Sequence, residues 1–204
     1  MKKCLVFNLL SALLLIAIGC AGPKYFLAPG FTGQKLTSGG LAILPVLIGE
    51  SGAGIPGIEM HRRACGERLA MTLRKKQPSL KVITPTEASS RIAQEGMVED
   101  YAKLTENYKM TGMFDTVRAA EMAKSMKAQY FMITKIQSLY SPKEKRAIAA
   151  LSTQIFDSES AEMVFETSAV YEDISIFGGP NYSRAIERTV DKLASILSVV
   201  YKAK

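Results

Sequence analysis

The sequence has few of the residue types that build metal sites and disulfides. Its 204 residues include no tryptophan, one histidine, His61, and three cysteines. With a single histidine and no C-x-x-C motif, we predict no metal site. Cys4 and Cys20 lie in and just after an amino-terminal hydrophobic segment, so Cys65 has no partner in the mature chain and we expect no internal disulfide. The hydrophobic core must therefore hold the fold together.

Hydrophobic runs long enough to cross a membrane are also missing. The longest run, Leu5 to Ile18, follows Lys2 and Lys3. As a helix it would span roughly 21 Å, which is too short for a hydrocarbon core of about 30 Å. A basic start followed by a short apolar segment is the pattern of a secretory signal peptide. We therefore assign residues 1–19 to a signal peptide.

The end of this segment, Ala17-Ile18-Gly19-Cys20-Ala21, resembles a bacterial lipobox, although Ala17 replaces the usual leucine. In that motif the cysteine after the cleavage point receives diacylglycerol on its sulfur and an acyl chain such as palmitate on its new amino group. Ala21 is not the aspartate that retains lipoproteins at the inner membrane, which implies the outer membrane, facing the periplasm. We predict lipidation at Cys20. The alternative is an ordinary signal peptide followed by an incidental cysteine.

Positive charge is in excess, but its distribution does not suit nucleic acids. The formal net charge is +7, and basic residues cluster around 74–76, 143–146 and 202–204 without interleaved aromatic side chains. Single-stranded nucleic acids are bound by basic grooves that also carry stacking aromatic residues. We therefore predict no nucleic-acid partner. Solvated helix ends and loops explain the clusters, and contact with anionic headgroups or the cell wall is the alternative.

Composition and hydrophobic periodicity divide the rest of the chain into a tether and one domain. Residues 20–40 are rich in Gly, Pro, Ser and Thr, which predicts a lipidated tether. Residues 41–204 predict a periplasmic α/β domain, in which helices pack on a mixed β-sheet of about five strands with a late antiparallel hairpin. The predicted elements are, in order, a strand Leu41–Ile48, a helix Ile58–Lys76, a strand Leu80–Thr84, helices Pro85–Gly96, Val98–Lys109 and Thr116–Lys127, strands Phe131–Ile136, Ala147–Phe156 and Met163–Ile174, and a helix from Ser183.

Helix-start signals and packing stripes can be placed within these elements. Thr84-Pro85-Thr86-Glu87 predicts a capping box, and Asp115 is expected to cap the helix that follows it. In that later helix, Val117, Ala120 and Ala123 recur at helical spacing and are expected to face the core. The ten methionines are likewise interpreted mostly as core packing.

A glycine-rich loop between the first strand and the first helix contains a G-x-G-x-x-G motif at Gly52, Gly54 and Gly57. Such a loop can hold a pyrophosphate at a helix N-terminus. A dinucleotide site also needs an acidic residue near the end of the second strand, where this chain has a proline and a glutamate better explained as a cap. We therefore predict no cofactor. A nucleotide-binding enzyme that uses this loop is kept as an alternative function.

His61 and Cys65 are four residues apart and could meet on one helix face as base and nucleophile. No third group that would orient the histidine can be chosen from the sequence. Cys65 shares a stripe with Leu69 and Leu73, which favours a buried, unreactive thiol. We therefore assign no catalytic residue and predict that the protein is not an enzyme.

The order of elements, together with several segments, resembles a known family. These segments are the opening strand Leu41–Pro45, the strand Val82–Thr84 before a capped helix, the strand entry Ala128–Phe131, the hairpin tip Phe156–Ser160 and the closing amphipathic helix. They are similar to the periplasmic α/β domain shared by the curli-secretion lipoprotein, the TolB amino-terminal domain and the penicillin-binding-protein activator lipoproteins. The resemblance implies a non-catalytic envelope lipoprotein that acts through protein contacts.

Within that superfamily two roles differ in their sequence requirements. A curli-type secretion channel adds two membrane hairpins per subunit, and each membrane strand needs about 9–11 alternating residues. Only the segment from Val98 to Met113 has a comparable length, and it is polar with helical spacing. We therefore favour an accessory or regulator of envelope assembly or secretion, anchored by acyl chains at Cys20. The envelope partner is not identified, and a homo-oligomeric secretion-channel subunit is the alternative.

Overall fold

The computed structural model describes residues 24–49, 55, 57–174 and 179–201. The predicted signal peptide and Cys20 lie outside these ranges, as do Gly52 and Gly54. Within them, seven strands and six helices are numbered in chain order. The strands are β1 (Tyr25–Leu27), β2 (Leu41–Ile43), β3 (Leu47–Ile48), β4 (Val82–Ile83), β5 (Tyr130–Ser141), β6 (Arg146–Asp157) and β7 (Met163–Ile174). The helices are α1 (Gly33–Gly39), α2 (Ile58–Lys76), α3 (Pro85–Gln94), α4 (Val98–Thr111), α5 (Thr116–Ser125) and α6 (Tyr182–Val200).

One mixed sheet contains all seven of these strands, in the order β1-β7-β6-β5-β2-β4, with β3 also paired to β5. The pairs β2–β4, β2–β5 and β3–β5 are parallel, because the paired strands are connected through helices. The pairs β5–β6, β6–β7 and β1–β7 are antiparallel. The predicted α/β class, mixed sheet and late hairpin are confirmed. The sheet has more strands than the five expected.

One extra strand arises because the predicted strand Leu41–Ile48 is interrupted at Pro45. Proline has no N–H for the ladder, and the segment divides into β2 and β3, both of which pair with β5. Across the gap, the Leu44 N–H donates to the Met132 carbonyl at 3.0 Å. Beyond β3, the Gly49 N–H donates to the Ile136 carbonyl at 2.8 Å. The whole segment therefore follows β5 despite the proline.

The other extra strand lies in the segment that was predicted to be a tether. Tyr25–Leu27 pairs with Phe165–Thr167 at the edge of the sheet, and α1 follows with Thr32 as its cap. Phe31 is buried with its ring 5.2 Å from that of Tyr130 in an edge-on contact. The structure thus differs from the predicted boundary at residue 41, since the folded domain already includes residues from Lys24 onward.

The two faces of the sheet carry separate hydrophobic clusters. Successive residues of β2 alternate between them: Leu41 and Ile43 belong to the larger cluster and Ala42 to the smaller one. Helices α1, α2 and α6 cover the larger cluster. Helices α3, α4 and α5 cover the smaller one, whose buried strand residues come from β2, β3, the first residues of β5 and the end of β6. The second face is therefore only partly covered.

Side-chain caps begin two of the three helices of the second layer, α3 and α5, as the sequence predicts. The Glu87 N–H donates to Thr84 Oγ1 at 3.3 Å, and the Thr84 N–H donates to Glu87 Oε2 at 2.9 Å. This reciprocal pair is a capping box. Asp115 Oδ1 accepts from the Arg118 N–H at 3.0 Å and caps α5. Both predicted caps are confirmed.

Candidate functional site

The residues singled out from the sequence lie in different parts of the chain. Cys20, Gly52 and Gly54 fall outside the described ranges. Gly57 precedes α2 as its N-cap and has a φ of 69°. That left-handed backbone favours glycine, so this glycine has a conformational role at the start of α2.

His61 and Cys65 lie on α2 with different surroundings. Cys65 is completely buried, and burial raises the pKa of its thiol to about 12. The His61 ring packs edge-on against Tyr182, with 5.0 Å between centroids, and burial lowers its pKa. At neutral pH the pair is therefore a thiol and a neutral imidazole. A cysteine nucleophile needs a lowered thiol pKa, which this environment opposes.

Two further features bear on chemistry and location. In the described part of the chain, no three His, Cys, Asp or Glu side chains come together as a metal site would require. None of the helices there is long and apolar enough to cross a membrane.

An exposed apolar surface lies at the turn between α4 and α5. Met110, Met113 and Val117 expose 71%, 74% and 63% of their surface; we call residues 110–117 the contact turn. Val117 was predicted to face the core, and that prediction is wrong. Met110 and Met113 are exceptions to the interpretation of the methionines as mostly core packing. The inward side of α5 is instead made by Ala119, Ala120, Met122 and Ala123. Large apolar side chains gathered at one exposed place are typical of interaction sites.

A cleft of about 310 Å³ separates the contact turn from the sheet. Phe114 and Tyr108 form one wall, with their rings 6.2 Å apart in an edge-on contact. Lys135 reaches over the Tyr108 ring, with its Nζ 5.5 Å from the centroid. The cleft therefore joins an apolar, aromatic wall to a positive charge, the combination in which aromatic faces attract a cation. Its floor is formed by Leu47, Ile133, Ser152 and Gln154.

Beyond the cleft, the second face of β5, β6 and β7 has no helix over it among the described residues. Leu139, Val170 and Ile174 are exposed there. They alternate with polar pairs: Arg146 Nε lies 2.6 Å from Glu172 Oε1, and the Gln154 amide donates to Glu166 at 2.9 Å. Cross-strand pairs of this kind stabilise a solvated sheet face.

No protein-family model and no curated protein matches the sequence. Solved structures do match it. PelC from Paraburkholderia phytofirmans, solved as a dodecamer, gives a TM-score of 0.54 over 86% of this chain and 96% of its own, at 13% identity. The chain has the fold of PelC.

Two other solved proteins are also similar. The hypothetical protein CT253 from Chlamydia trachomatis gives a TM-score of 0.51 over 81% of this chain and 99% of its own, at 12% identity. Lipoprotein GNA1162 from Neisseria meningitidis gives a TM-score of 0.45 over 80% of this chain and 94% of its own, at 11% identity. The α/β fold that the resemblance implied is confirmed, since PelC and CT253 share the fold of this chain.

A second, basic cleft of about 730 Å³ lies beside β4. Of its cations, Arg74 donates to the Val82 carbonyl and lies 3.1 Å from Glu87 Oε2. Arg91 donates to the Met126 carbonyl at 2.8 Å. Arg74 satisfies a carbonyl of the edge strand β4, where charged side chains hinder the addition of another strand, and Arg91 satisfies the carbonyl of Met126, the C-cap residue of α5. The role that the geometry supports for Arg74 and Arg91 is structural.

Proposed function

We propose that the protein is a lipoprotein anchored through Cys20 to the bacterial outer membrane, where it faces the periplasm and acts by protein contacts. Its role is that of an accessory or regulator of envelope assembly or secretion, with no catalysis of its own. The lipobox-like segment supports the anchor. The observation that carries the mode of action is the contact turn, where Met110, Met113 and Val117 are each more than 60% exposed within eight residues.

The contact turn has the properties of a binding surface. Methionine side chains are flexible and polarizable and adapt to the shape of a partner. The turn is held firmly, because Gly112 ends α4 in a left-handed conformation and Asp115 caps α5. Beside it, the cleft with Lys135 offers a charged group next to apolar side chains. A partner that buried this turn would create an apolar centre with a polar rim, as stable interfaces have.

A site-specific crosslink in intact cells tests this mode of action. A photoreactive phenylalanine derivative at Met113 should trap one partner of the cell envelope. The same derivative at Met71, which is 61% exposed on α2, is the matched control and should not trap it. Adding Met110→Ser and Val117→Ser should abolish the Met113 crosslink without unfolding the domain, since both side chains are exposed. The same crosslinks from positions 113 and 71 would contradict the proposal.

The homo-oligomeric alternative rests on one observation, that the similar PelC structure is a dodecamer. The same crosslinking experiment separates the two functions. If the band trapped by Met113 contains only further copies of this chain, the contact turn is a self-assembly surface and the channel-subunit function is favoured. If it contains a different envelope protein, the accessory role is supported.

A further inference from the structure

The chain between the predicted lipid anchor and the folded domain is much shorter than the sequence suggests. The Lys24 carbonyl already accepts a hydrogen bond from the Thr167 hydroxyl at 3.0 Å, and β1 begins at the next residue. Four residues therefore connect Cys20 to the sheet, and at full extension they span at most about 14 Å. The tether predicted for residues 20–40 would have reached about 70 Å. Acyl chains at Cys20 would hold β1 close to the bilayer.

The side chains of β1 suit that location. Tyr25 and Phe26 are 43% and 45% exposed, although both lie on a strand that pairs with β7. Successive strand residues point to opposite faces, so an aromatic ring projects on each side of this edge. The Tyr25 ring is held in place by stacking on Phe165, with centroids 6.1 Å apart. Aromatic side chains are enriched at membrane–water interfaces.

The neighbouring part of β7 extends the apolar surface. Because β1 is antiparallel to β7, its amino end points along β7 toward Val170 and Ile174, which are at least half exposed. Both side chains lie on the face of the sheet that carries Phe26, since Phe26 pairs with Glu166 and the residues between alternate.

Charge on this surface also favours a membrane. Lys192 Nζ lies 3.4 Å from the Val170 carbonyl, and Lys24 is exposed at the start of β1. Of the two glutamates of β7 on this face, Glu172 is paired with Arg146, and Glu166 accepts from the neutral Gln154 amide, so the two lysines outnumber the one glutamate that no cation pairs with. Cations beside exposed aromatic and aliphatic groups attract anionic headgroups while the apolar groups enter the interface.

We propose that this surface, made of Lys24, Tyr25, Phe26, Val170, Ile174 and Lys192, rests in the headgroup region of the bilayer that holds the acyl chains. The inference rests on the proposed acylation of Cys20. It fixes the orientation of the domain, because β4 lies five strand spacings from β1, or about 24 Å away. The β1 edge then faces the lipid and the β4 edge faces the periplasm.

The absence of tryptophan from the chain allows a direct test with single-tryptophan reporters. Phe26→Trp and Val170→Trp report on the proposed surface. Met71→Trp is the matched control, because α2 contacts β4 at the other edge of the sheet. Each lipidated full chain is reconstituted into vesicles of phosphatidylethanolamine and phosphatidylglycerol in which part of the lipid is brominated. We expect brominated lipid to reduce Phe26→Trp fluorescence at least twofold, to quench Val170→Trp less, and to leave Met71→Trp unchanged.

The outcomes distinguish this inference from the function on which it rests. Mass spectrometry of the same samples shows whether Cys20 is acylated; an unacylated cysteine would overturn both. With acylated Cys20, an unquenched Phe26→Trp, or equal quenching of Phe26→Trp and Met71→Trp, would overturn the membrane surface alone. The emission of Phe26→Trp is also recorded without vesicles. A blue shift of that emission that increases with protein concentration would show that a second copy of the chain covers the surface, and it would overturn the proposal.

Discussion

The same three strands, β5, β6 and β7, have two very different faces. On the first face, Ile136, Ala149, Leu151 and Phe165 are completely buried under α2 and α6. On the second face, Leu139 and Val170 are about half exposed, although each follows directly after a buried residue, Ser138 and Ala169 respectively. Because strand side chains alternate, one sequence supplies a packed core and an open surface at once. One side of the sheet therefore forms the core that stabilises the fold, and the other side is the one that we propose contacts other molecules.

Helix length and position explain this asymmetry. Helix α6 has 19 residues and contacts both β6 and β7, so at about 1.5 Å per residue it covers roughly 28 Å of strand. It is also tied to the sheet by a buried hydroxyl, since Thr189 donates to the Ala149 carbonyl at 3.0 Å or to that of Ala185 at 2.7 Å. The helices on the second face lie over the parallel strands and leave the long hairpin open.

The largest expected effect on stability comes from truncating a buried residue on the covered face, and truncating an exposed residue on the open face is its control. Phe165 is fully buried on the covered face, and Phe165→Ala should lower the free energy of unfolding by about 3–5 kcal/mol, because it leaves a cavity in the core. Val170→Ala on the open face should change it by no more than about 0.5 kcal/mol. Urea unfolding of chains that also carry Cys20→Ala measures both values. Similar losses at the two positions would show that the open face is buried in the folded protein.

A smaller effect is expected for the layer that partly covers the second face. Thr84→Ala removes the hydroxyl that accepts the Glu87 N–H at the start of α3 and should cost about 1 kcal/mol. Thr84→Ser keeps that hydroxyl and should recover most of the loss. Urea unfolding of the two variants measures the difference. If alanine and serine were equivalent, the side chain of Thr84 would not stabilise the helix and the capping box would have no energetic role.

The comparison of the two faces also shows what the sequence could predict. The bounds of α2, the capping box at Thr84 and the cap at Asp115 agree with the predictions, because each depends on residues within a few positions of one another. The hairpin of β6 and β7 could also be predicted, since the Asp and Ser residues of its turn satisfy nearby backbone groups. For example, Asp157 Oδ1 accepts from the Glu159 N–H at 2.8 Å.

The features that escaped prediction depend on distant partners. Nothing near Tyr25 signals that it pairs with a strand about 140 residues later, and the local composition favoured a tether. Periodicity placed Val117 on a stripe of α5, but whether a stripe is covered depends on where another element lies. The same reason accounts for the exposed Met110 and Met113, which are indistinguishable by type from buried methionines. The exposure of Val117 and of these two methionines was therefore not predicted.

The smallest predicted effect concerns the charge at the start of α3. The Glu87 carboxylate accepts the Thr84 N–H at 2.9 Å and lies 3.1 Å from Arg74 Nη2. The backbone hydrogen bond from Thr84 is the largest cause of a lowered pKa of Glu87; burial opposes it, and Arg74 lowers it further. The folded state therefore favours the ionised carboxylate more than the unfolded state does.

The sign of the resulting pH dependence follows from this lowered pKa. The ionised Glu87 carboxylate stabilises the folded state fully above the ordinary glutamate pKa of about 4.3. This stabilisation is lost as the pH falls from there through the lower pKa of Glu87 in the folded state. Glu87→Gln should therefore cost more stability at pH 7 than at pH 3, as urea unfolding at several pH values will measure.

Arg74→Gln should keep most of that pH dependence, because the hydrogen bond from the Thr84 N–H is the largest cause of the lowered pKa of Glu87. A cost of Glu87→Gln that is the same at pH 7 and pH 3 would show that the carboxylate charge has no part in the cap. Loss of the whole pH dependence in Arg74→Gln would assign it to the ion pair on the surface instead.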